Sequence, residues 1–292
     1  MSEEKGAVEG LAVVDKEAGW TSHDVVAKAR GVLGTRKIGH SGTLDPDATG
    51  VLLLGVGRAT RLLRFLTPLV KQYEAELVLG VETTTLDAAG EVTAIHDMAG
   101  IGPQEVAAAA ADFVGDIMQV PPMVSAVKVG GRRLHELARQ GIEVERKARP
   151  VIIHDLVVAP VGIGTGVYRM EVSCSSGTYI RSLGADIARA LGGGGHVRAL
   201  RRLAIGSFTV SEAHPVDSPV LLPMGAALRD HPAVTAGEDL GRRVIAGQVL
   251  GADELGGAGG GPWPVLDSRG RLLAVYEPYT EGWVKPAVVI SP

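Results

Sequence analysis

Apolar and polar positions follow two different periods along the chain, which indicates both strands and helices. Short apolar runs and two-residue alternation are typical of strands, whereas apolar positions three and four residues apart are typical of helices. The pattern predicts strands at 11–14, 51–56, 71–79, 151–158, 168–174, 271–276 and 284–290. It predicts helices over 22–33, 58–66, 103–113 and 196–203, with Ser22 as the cap of the first, and a further helix that begins near Arg181.

The order of these elements predicts the fold class and the domains. Because the strands are separated irregularly rather than in strict strand–helix repeats, we predict an α+β fold, with a largely antiparallel mixed sheet flanked by helices. Prolines punctuate residues 215–232, which is typical of a linker. We therefore predict an N-terminal tail at residues 1–10, a main domain at 11–230 and a small, mostly β C-terminal domain at 231–292.

Composition places the chain among globular proteins and narrows its environment. Hydrophobic residues make up 46% of the 292 residues, enough for a large core. Cys174 is the single cysteine, which excludes a disulfide framework and a cysteine-based zinc site and suits a buried strand position in a reducing cytosol. The first residues, Met1 to Lys5, are acidic, and no apolar run approaches roughly 18 residues. We therefore expect a soluble, cytoplasmic protein that does not enter a membrane.

Charges are unevenly distributed, although the formal net charge is only −4. Residues 82–116 contain acidic residues and no lysine or arginine, whereas basic residues cluster around Arg36, Arg61, Lys128 and Arg201. Such a chain is able to hold phosphates on one face whatever its total charge. A single basic cluster is also commonly the solvated face of a helix, so the charge pattern leaves both interpretations open.

Candidate chemistry is concentrated in residues 39–50, Gly-His-Ser-Gly-Thr-Leu-Asp-Pro-Asp-Ala-Thr-Gly. The glycines and the proline predict a tight loop. Loops held between rigid elements usually present reacting groups, so Asp45, with His40 nearby, is the first candidate for catalysis. The same residues are common in turns and helix caps. The spacing Asp45-x-Asp47-x-Thr49 also fits the loop of aspartyl-phosphate phosphatases, although that loop follows a hydrophobic strand and this one follows a polar, glycine-rich segment.

The loop resembles the catalytic loop of the TruB family of tRNA pseudouridine synthases, and other segments resemble further motifs of that family in the same order. They are Asp-Lys-x-x-Gly-x-Thr-Ser-x-Asp at 15–24, Lys-x-Tyr at 71–73, Thr-Thr-Thr-x-Asp-x-x-Gly at 83–90, Gln-x-Pro-Pro-x-x-Ser-Ala-x-Lys at 119–128 and Cys-x-x-Gly-Thr-Tyr-Ile-Arg at 174–181. The resemblance covers about residues 11–212 and implies the pseudouridine synthase fold.

The resemblance implies a role for individual residues. Asp45 would be the catalytic aspartate, Arg181 its ion-pair partner and Tyr73 the ring that stacks on the base. Arg181 also opposes the dipole of its predicted helix, which by itself suggests an anionic partner. The other residues implied to bind substrate are His40 and Tyr179 at the flipped nucleotide, Leu200 at the pocket, and Arg61 and Lys128 at phosphates.

The resemblance also implies a substrate. That substrate is the uridine of the tRNA T loop, position 55 by the tRNA convention, flipped out of its stack. No metal, cofactor, membrane or obligate protein partner is implied, so we expect a monomer that binds tRNA. Residues 231–292 occupy the position of the family's PUA-like RNA-binding domain. Whether Asp45 attacks C1′ of the ribose or takes a proton from C2′ stays open.

Two other classes of function stay open at the level of sequence. A tRNA-binding or refolding protein without essential catalysis would keep the basic face and would survive the loss of Asp45. An aspartyl phosphatase would need magnesium and would fail in chelator.

Overall fold

The computed structural model describes residues 8–125, 128–129, 131–133, 140–142 and 144–290, with the backbone alone at 128, 129 and 133. The strands of this part of the chain are β1 (Gly10–Lys16), β2 (Ile38–His40), β3 (Thr49–Val56), β4 (Lys71–Leu79), β5 (Val81–Thr83), β6 (Val92–Ile95), β7 (Gly115–Gln119), β8 (Lys128–Val129), β9 (Arg132–Arg133), β10 (Arg149–Pro160), β11 (Val167–Cys174), β12 (Gly195–Ile205), β13 (Phe208–Thr209), β14 (Leu221–Leu222), β15 (Val234–Thr235), β16 (Leu250–Gly251), β17 (Trp263–Leu266), β18 (Leu272–Thr280) and β19 (Trp283–Val289). Its α-helices are α1 (Ser22–Leu33), α2 (Leu63–Leu66), α3 (Pro103–Ala111), α4 (Ile180–Ala190), α5 (Glu238–Ile245) and α6 (Ala252–Leu255). Short 3-10 helices cover Gly57–Leu62, Val210–Glu212 and Ala226–Leu228.

The chain divides into two compact units. Unit 1 comprises Met1–Leu69 and Ala204–Pro292, and unit 2 comprises Val70–Leu203. The boundary predicted at residue 230 lies within unit 1, and the predicted domain limits stay a prediction.

Strands β1 and β3 form the centre of the N-terminal sheet of unit 1. They pair antiparallel from Gly10 opposite Val56 to Lys16 opposite Gly50, and β14 and β2 pair with their outer edges. Strand β3 is a nearly continuous apolar run because successive side chains enter two different cores, one through Leu53 and the other through Leu54. This sheet places the residues between β2 and β3 in a short connecting loop.

Helix α1 begins at a capping box and ends at a glycine. Thr21 Oγ1 accepts the N–H of Asp24, and the Asp24 carboxylate accepts the N–H of Thr21. Gly34 closes the helix in the left-handed conformation, at a φ of 62°, which glycine adopts without a steric penalty. The prediction that Ser22 caps this helix is wrong, because Thr21 is the cap and the Ser22 side chain is buried against another segment.

The C-terminal part of unit 1 is a second sheet, in the order β15, β17, β18, β19, β16. Its pairings are antiparallel except for the parallel pair of β15 and β17. Leu272, Val275 and Val288 from this sheet share one buried core with Leu11 and Leu53 of β1 and β3. The mostly β character predicted for this part of the chain is confirmed, whereas its PUA-like nature stays a prediction.

Unit 2 is built on a sheet in the order β12, β4, β11, β10, β7. Strand β4 pairs antiparallel with β11, and β11 with β10. Helices α3 and α4 add Val106, Leu183 and Ile187 to a core that includes Leu77 and Met170 of the sheet. Cys174 is buried on β11, as its sequence context predicts.

The α+β class with a largely antiparallel sheet and flanking helices is confirmed. The helix predicted at 196–203 is wrong, because these residues belong to strand β12. The helical spacing of Leu200 and Leu203 misled the prediction, since strand pairing in the tertiary structure outweighs a weak local pattern. Arg202 is only 1% exposed, which a solvated basic helix face would not allow. The helix predicted at 58–66 is divided into a 3-10 turn and α2.

Within the described ranges, every helix is too short or too polar to cross a membrane.

Candidate active site

Asp45 lies in the loop between β2 and β3 of unit 1, and its side chain is half-buried. The loop is tight, since the Ala48 N–H donates to the carbonyl oxygen of Asp45 at 3.2 Å. Leu44 and Ala48 on either side are buried, so they anchor the loop in the apolar interior. His40 is the last residue of β2, directly before this loop, and its Nδ1 accepts the Gly42 N–H at 3.3 Å. His40 and Asp45 therefore lie at the start and in the middle of one short connection, and their shared role in the site stays a prediction.

The residue before Asp45 is held by Ser22 of helix α1. Ser22 Oγ accepts the Leu44 N–H at 2.9 Å and donates to the Leu44 carbonyl oxygen at 3.3 Å. Both backbone groups of Leu44 are thus satisfied by one buried hydroxyl. This pairing explains why Ser22 does not cap its own helix.

The residue after Asp45 is held by Lys16 at the end of β1. The side chain of Lys16 is completely buried, and its Nζ donates to the carbonyl oxygens of Pro46 at 2.8 Å, Trp20 at 2.6 Å and Glu17 at 2.8 Å. Three acceptors match the three protons of an ammonium group. Asp45 is therefore fixed on both sides by buried side chains that come from residues 16–22.

We predict that Ser22→Ala loosens this loop without disturbing the cap of helix α1. The substitution leaves the buried Leu44 N–H without its acceptor, so the free energy of unfolding should fall by about 1–3 kcal/mol. Hydrogen exchange at the Leu44 amide should become faster, whereas exchange at the capped Asp24 amide should not. Ser218→Ala, at an exposed serine of unit 1, is the matched control. Unchanged exchange at Leu44 would contradict the assignment.

Arg181 is a buried cation of unit 2. It lies in the first turn of α4 and is only 3% exposed. Its Nη1 donates to the Thr85 carbonyl oxygen at 2.8 Å and to Asp87 Oδ2 at 3.0 Å, and its Nη2 donates to the Val124 carbonyl oxygen at 2.8 Å. One planar guanidinium thus joins the 83–90 loop to the segment after β7. The predicted ion pair with Asp45 would join residues of the two units and stays a prediction.

Two further side chains bond the end of β7 and the segment after it to the start of α4. Gln119 accepts the Tyr179 N–H through Oε1 at 2.7 Å and donates to the Tyr179 carbonyl oxygen through Nε2 at 3.0 Å. Ser182 Oγ donates to the Val120 carbonyl oxygen at 3.1 Å. Tyr179 and Arg181 are therefore presented next to each other on a well-bonded helix start.

Tyr73 and Leu200 pack against the same core of unit 2. Tyr73 is half-buried on β4, opposite Val172 of β11, and its ring contacts the core that contains Leu77. Leu200 is half-buried on β12 and packs on that core as well. Both predicted pocket residues are therefore packed against the core and partly exposed to solvent.

A buried basic pair lies close to Tyr73. Lys71, also on β4, is 5% exposed, and Arg202 on β12 is 1% exposed. Burial, followed by the nearby charge of Arg202, lowers the pKa of the Lys71 ammonium to about 8. Burial raises the pKa of the neighbouring Cys174 thiol to about 11. Strands β4 and β11 therefore hold a desolvated amine beside a neutral thiol.

We predict a specific dependence of stability on pH from Lys71. Its folded pKa lies below the unfolded value, so the unfolded state binds more protons between about pH 8 and 10.5. The cost of burying the charge is complete below pH 8, about 3 kcal/mol, and disappears as the pH rises towards 10.5. Lys71→Met should therefore be more stable than the unmodified chain at pH 7, with a difference that shrinks towards pH 10.5 in urea unfolding. Lys147→Met, at an exposed lysine, is the control, and a constant difference for Lys71→Met would contradict the prediction.

The two residues predicted to contact phosphates are described to different extents. Arg61 is exposed on a 3-10 turn of unit 1, where its Nη1 donates to the Val289 carbonyl oxygen of β19 at 2.7 Å. A guanidinium has five N–H groups, so this bond leaves donors for a phosphate. The backbone of Lys128 forms strand β8, whereas its side chain lies outside the described atoms. Both contacts stay predictions.

Sequence reasoning missed several positioning residues. Lys16 and Ser22 lie in the motif at 15–24, Asp87 lies within the motif at 83–90 and Gln119 begins the motif at 119–128, so the motif positions were a usable signal. Their partners were not predictable from spacing. Among the described residues, no group of three or more His, Cys, Asp or Glu side chains is arranged to hold a metal ion.

Comparison with known proteins identifies the class. A model of the N-terminal domain of TruB family pseudouridylate synthases matches residues 30–180. The tRNA pseudouridine synthase B of Arthrobacter sp. (strain FB24) is 42% identical over 97% of both chains, and that of Thermobifida fusca (strain YX) is 44% identical over 97% of this chain and 99% of its own. In the crystal structure of a Cbf5-Nop10-Gar1 complex, one chain aligns with a TM-score of 0.70 and 26% identity, over 92% of this chain and 78% of that chain.

The class of protein is therefore a pseudouridine synthase, which is an isomerase. Within that class, the chain belongs to the TruB family of pseudouridylate synthases.

Proposed function

We propose that this enzyme converts uridine 55 in the T loop of tRNA to pseudouridine, with Asp45 as its catalytic carboxylate and without a metal or cofactor. The reaction breaks the bond between N1 of the base and C1′ of the ribose and joins C5 to C1′. The proton on C5 is lost to solvent and N1 gains one, so no electrons or external atoms are required. The relatives named above as tRNA pseudouridine synthase B support tRNA as the substrate.

The observation that carries this proposal is the fixed position of Asp45. Its two neighbours in the chain, Leu44 and Pro46, are bonded through their backbones to the buried side chains of Ser22 and Lys16. A carboxylate that is held in this way loses little conformational entropy when the ribose binds. Such preorganisation lowers the entropic part of the activation barrier. Asp47, two residues further on, is exposed.

Asp45 acts in its ionised form in either version of the chemistry. As a nucleophile it attacks C1′, and as a base it takes a proton from C2′. We propose Arg181 as the cation that keeps Asp45 ionised in the water-excluding complex. Tyr73 stacks on the flipped base and assists the loss of the C5 proton, and Leu200 packs at the pocket.

Binding of the RNA relies on phosphate contacts and on capture of the flipped nucleotide. His40 and Tyr179 hold the nucleotide, and flipping costs a few kcal/mol that the phosphate contacts of Arg61 and Lys128 offset. We propose a cytoplasmic monomer with a catalytic domain at 11–230. Residues 231–292 form its small PUA-like domain in this proposal.

Tritium release tests the proposed function directly. Unmodified tRNA carries tritium at C5 of uridine, and the enzyme is assayed with excess chelator. We expect release of about one label per tRNA at an unchanged rate in chelator, and no release from a tRNA with cytidine at position 55. Magnesium-dependent release of phosphate from a phosphate ester, without release of tritium, would favour a phosphatase-like site. Tight tRNA binding without any release would favour a binding or refolding protein.

A further inference from the structure

A second histidine ring lies against the ring of His40. The centroids of His23 and His40 are 5.5 Å apart and their planes meet at 82°, an edge-to-face arrangement. His23 is the second residue of helix α1, and it is exposed. It has no part in the catalytic roles proposed above.

A hydrogen bond also reaches the His40 ring. Its Nδ1 accepts the Gly42 N–H at 3.3 Å, at the long end for an amide donor, where about 2.7–3.2 Å is usual. The edge-to-face contact with the His23 ring restricts the rotation of the His40 ring in addition.

The position of His23 is itself well determined. Its neighbour Ser22 is bonded to both backbone groups of Leu44, and Thr21 and Asp24 form the capping box on either side. The first turn of α1 is thus hydrogen-bonded to the Asp45 loop through Leu44, and it contacts the end of β2 through the ring pair. A side chain on such a rigid turn is suited to orient another one.

We propose that His23 is a positioning residue of the isomerisation, whose ring holds the His40 ring in the orientation that receives the flipped nucleotide. This inference rests on the proposed function, because His40 has that role only in the proposed reaction. His23 acts through the shape of its ring and needs neither a proton nor a charge for this purpose. A phenylalanine at position 23 should therefore replace it.

Single-turnover tritium release tests this role. His23→Ala should lower the rate about threefold to tenfold, the size of effect that an edge-to-face ring pair supplies. His23→Phe should restore the rate to within about twofold of the unmodified enzyme, and the Kd for tRNA should change less than twofold in both. His154→Ala, at an exposed histidine of β10, is the matched control and should leave the rate unchanged.

A double-mutant cycle separates action through His40 from direct contact with RNA. If His23 acts through His40, His23→Ala should cause no further loss in an enzyme that already carries His40→Ala. The same threefold to tenfold loss in that background would overturn the proposal. A loss that His23→Phe does not restore would overturn it as well.

Nuclear magnetic resonance of the free protein keeps this inference distinct from the proposed function. The ring protons of His40 should shift in His23→Ala and stay in place in His154→Ala, whether or not RNA is modified. Unchanged His40 signals in an active enzyme would overturn the ring contact alone. An unmodified protein that releases no tritium would overturn the proposed function, and the role of His23 with it.

Discussion

Replacement of Asp45 by asparagine is expected to abolish the release of tritium from tRNA, with a loss of at least about a thousandfold in rate. Asparagine has nearly the same shape, so the backbone bonds at Leu44 and Pro46 should persist. The amide can neither attack C1′ nor take a proton from C2′. Single-turnover assays with saturating enzyme measure the loss without interference from product release.

Asp47 provides a control in the same loop. Asp47→Asn removes a carboxylate two residues away that is exposed. A pseudouridine synthase should keep nearly full activity, whereas an aspartyl phosphatase would need both aspartates. Loss of activity in both variants, or in Asp47→Asn alone, would contradict the assignment of Asp45. Equal binding of tRNA by the two variants would show that the loss lies in the chemical step.

Replacement of Arg181 by lysine is the second prediction, and it should damage both activity and stability. Lysine keeps the charge, but a single ammonium cannot reproduce the fork that bonds Thr85, Asp87 and Val124. We expect the rate to fall about a hundredfold, as when a preorganised charged donor is lost. The free energy of unfolding should fall by about 2 kcal/mol, below the value for a fully buried pair because Asp87 is partly exposed.

Arg189 on the same helix is the control for this substitution. Its ion pair with Asp186 is at the surface, with 65% of the arginine side chain exposed. Arg189→Lys should change stability by less than about 0.5 kcal/mol and leave the rate unaltered. Urea unfolding and tritium release measure both variants. A stable but inactive Arg181→Lys would show that Arg181 serves catalysis and not the packing of unit 2, and equal effects of the two substitutions would contradict the prediction.

Loop rigidity links the structural results to the proposed reaction. The Asp45 loop contains glycines that would let it move, yet buried side chains hold the residues on both sides of Asp45. Lys16 shows what this rigidity requires. Burial of an ammonium group costs free energy unless its protons are hydrogen-bonded, as they are here. Removal of the Lys16 side chain takes this donor from the carbonyl oxygens of Glu17, Trp20 and Pro46, so the loop depends on a residue that precedes Pro46 by 30 positions.

Much of the fold was predictable from local patterns. Strand β4 was predicted with the bounds it has, because two-residue alternation between a buried and an open face is a local property. Strand β3 and helix α3 were predicted for similar reasons, an apolar run in one case and an alanine-rich run after Pro103 in the other. Strand β12 was not, because its pairing with β4 joins residues more than a hundred positions apart.

The sequence by itself determined the family, the identity of the candidate residues and the presence of a tight loop at Asp45. Motif spacing and glycine content are properties of the linear sequence, so they need no tertiary structure. The tertiary structure alone decided what holds those residues. Ser22 meets Leu44 and Arg181 meets Asp87 across 22 and 94 positions of the chain. Such pairs depend on how separate elements pack, so the local periodicity of apolar and polar residues does not predict them.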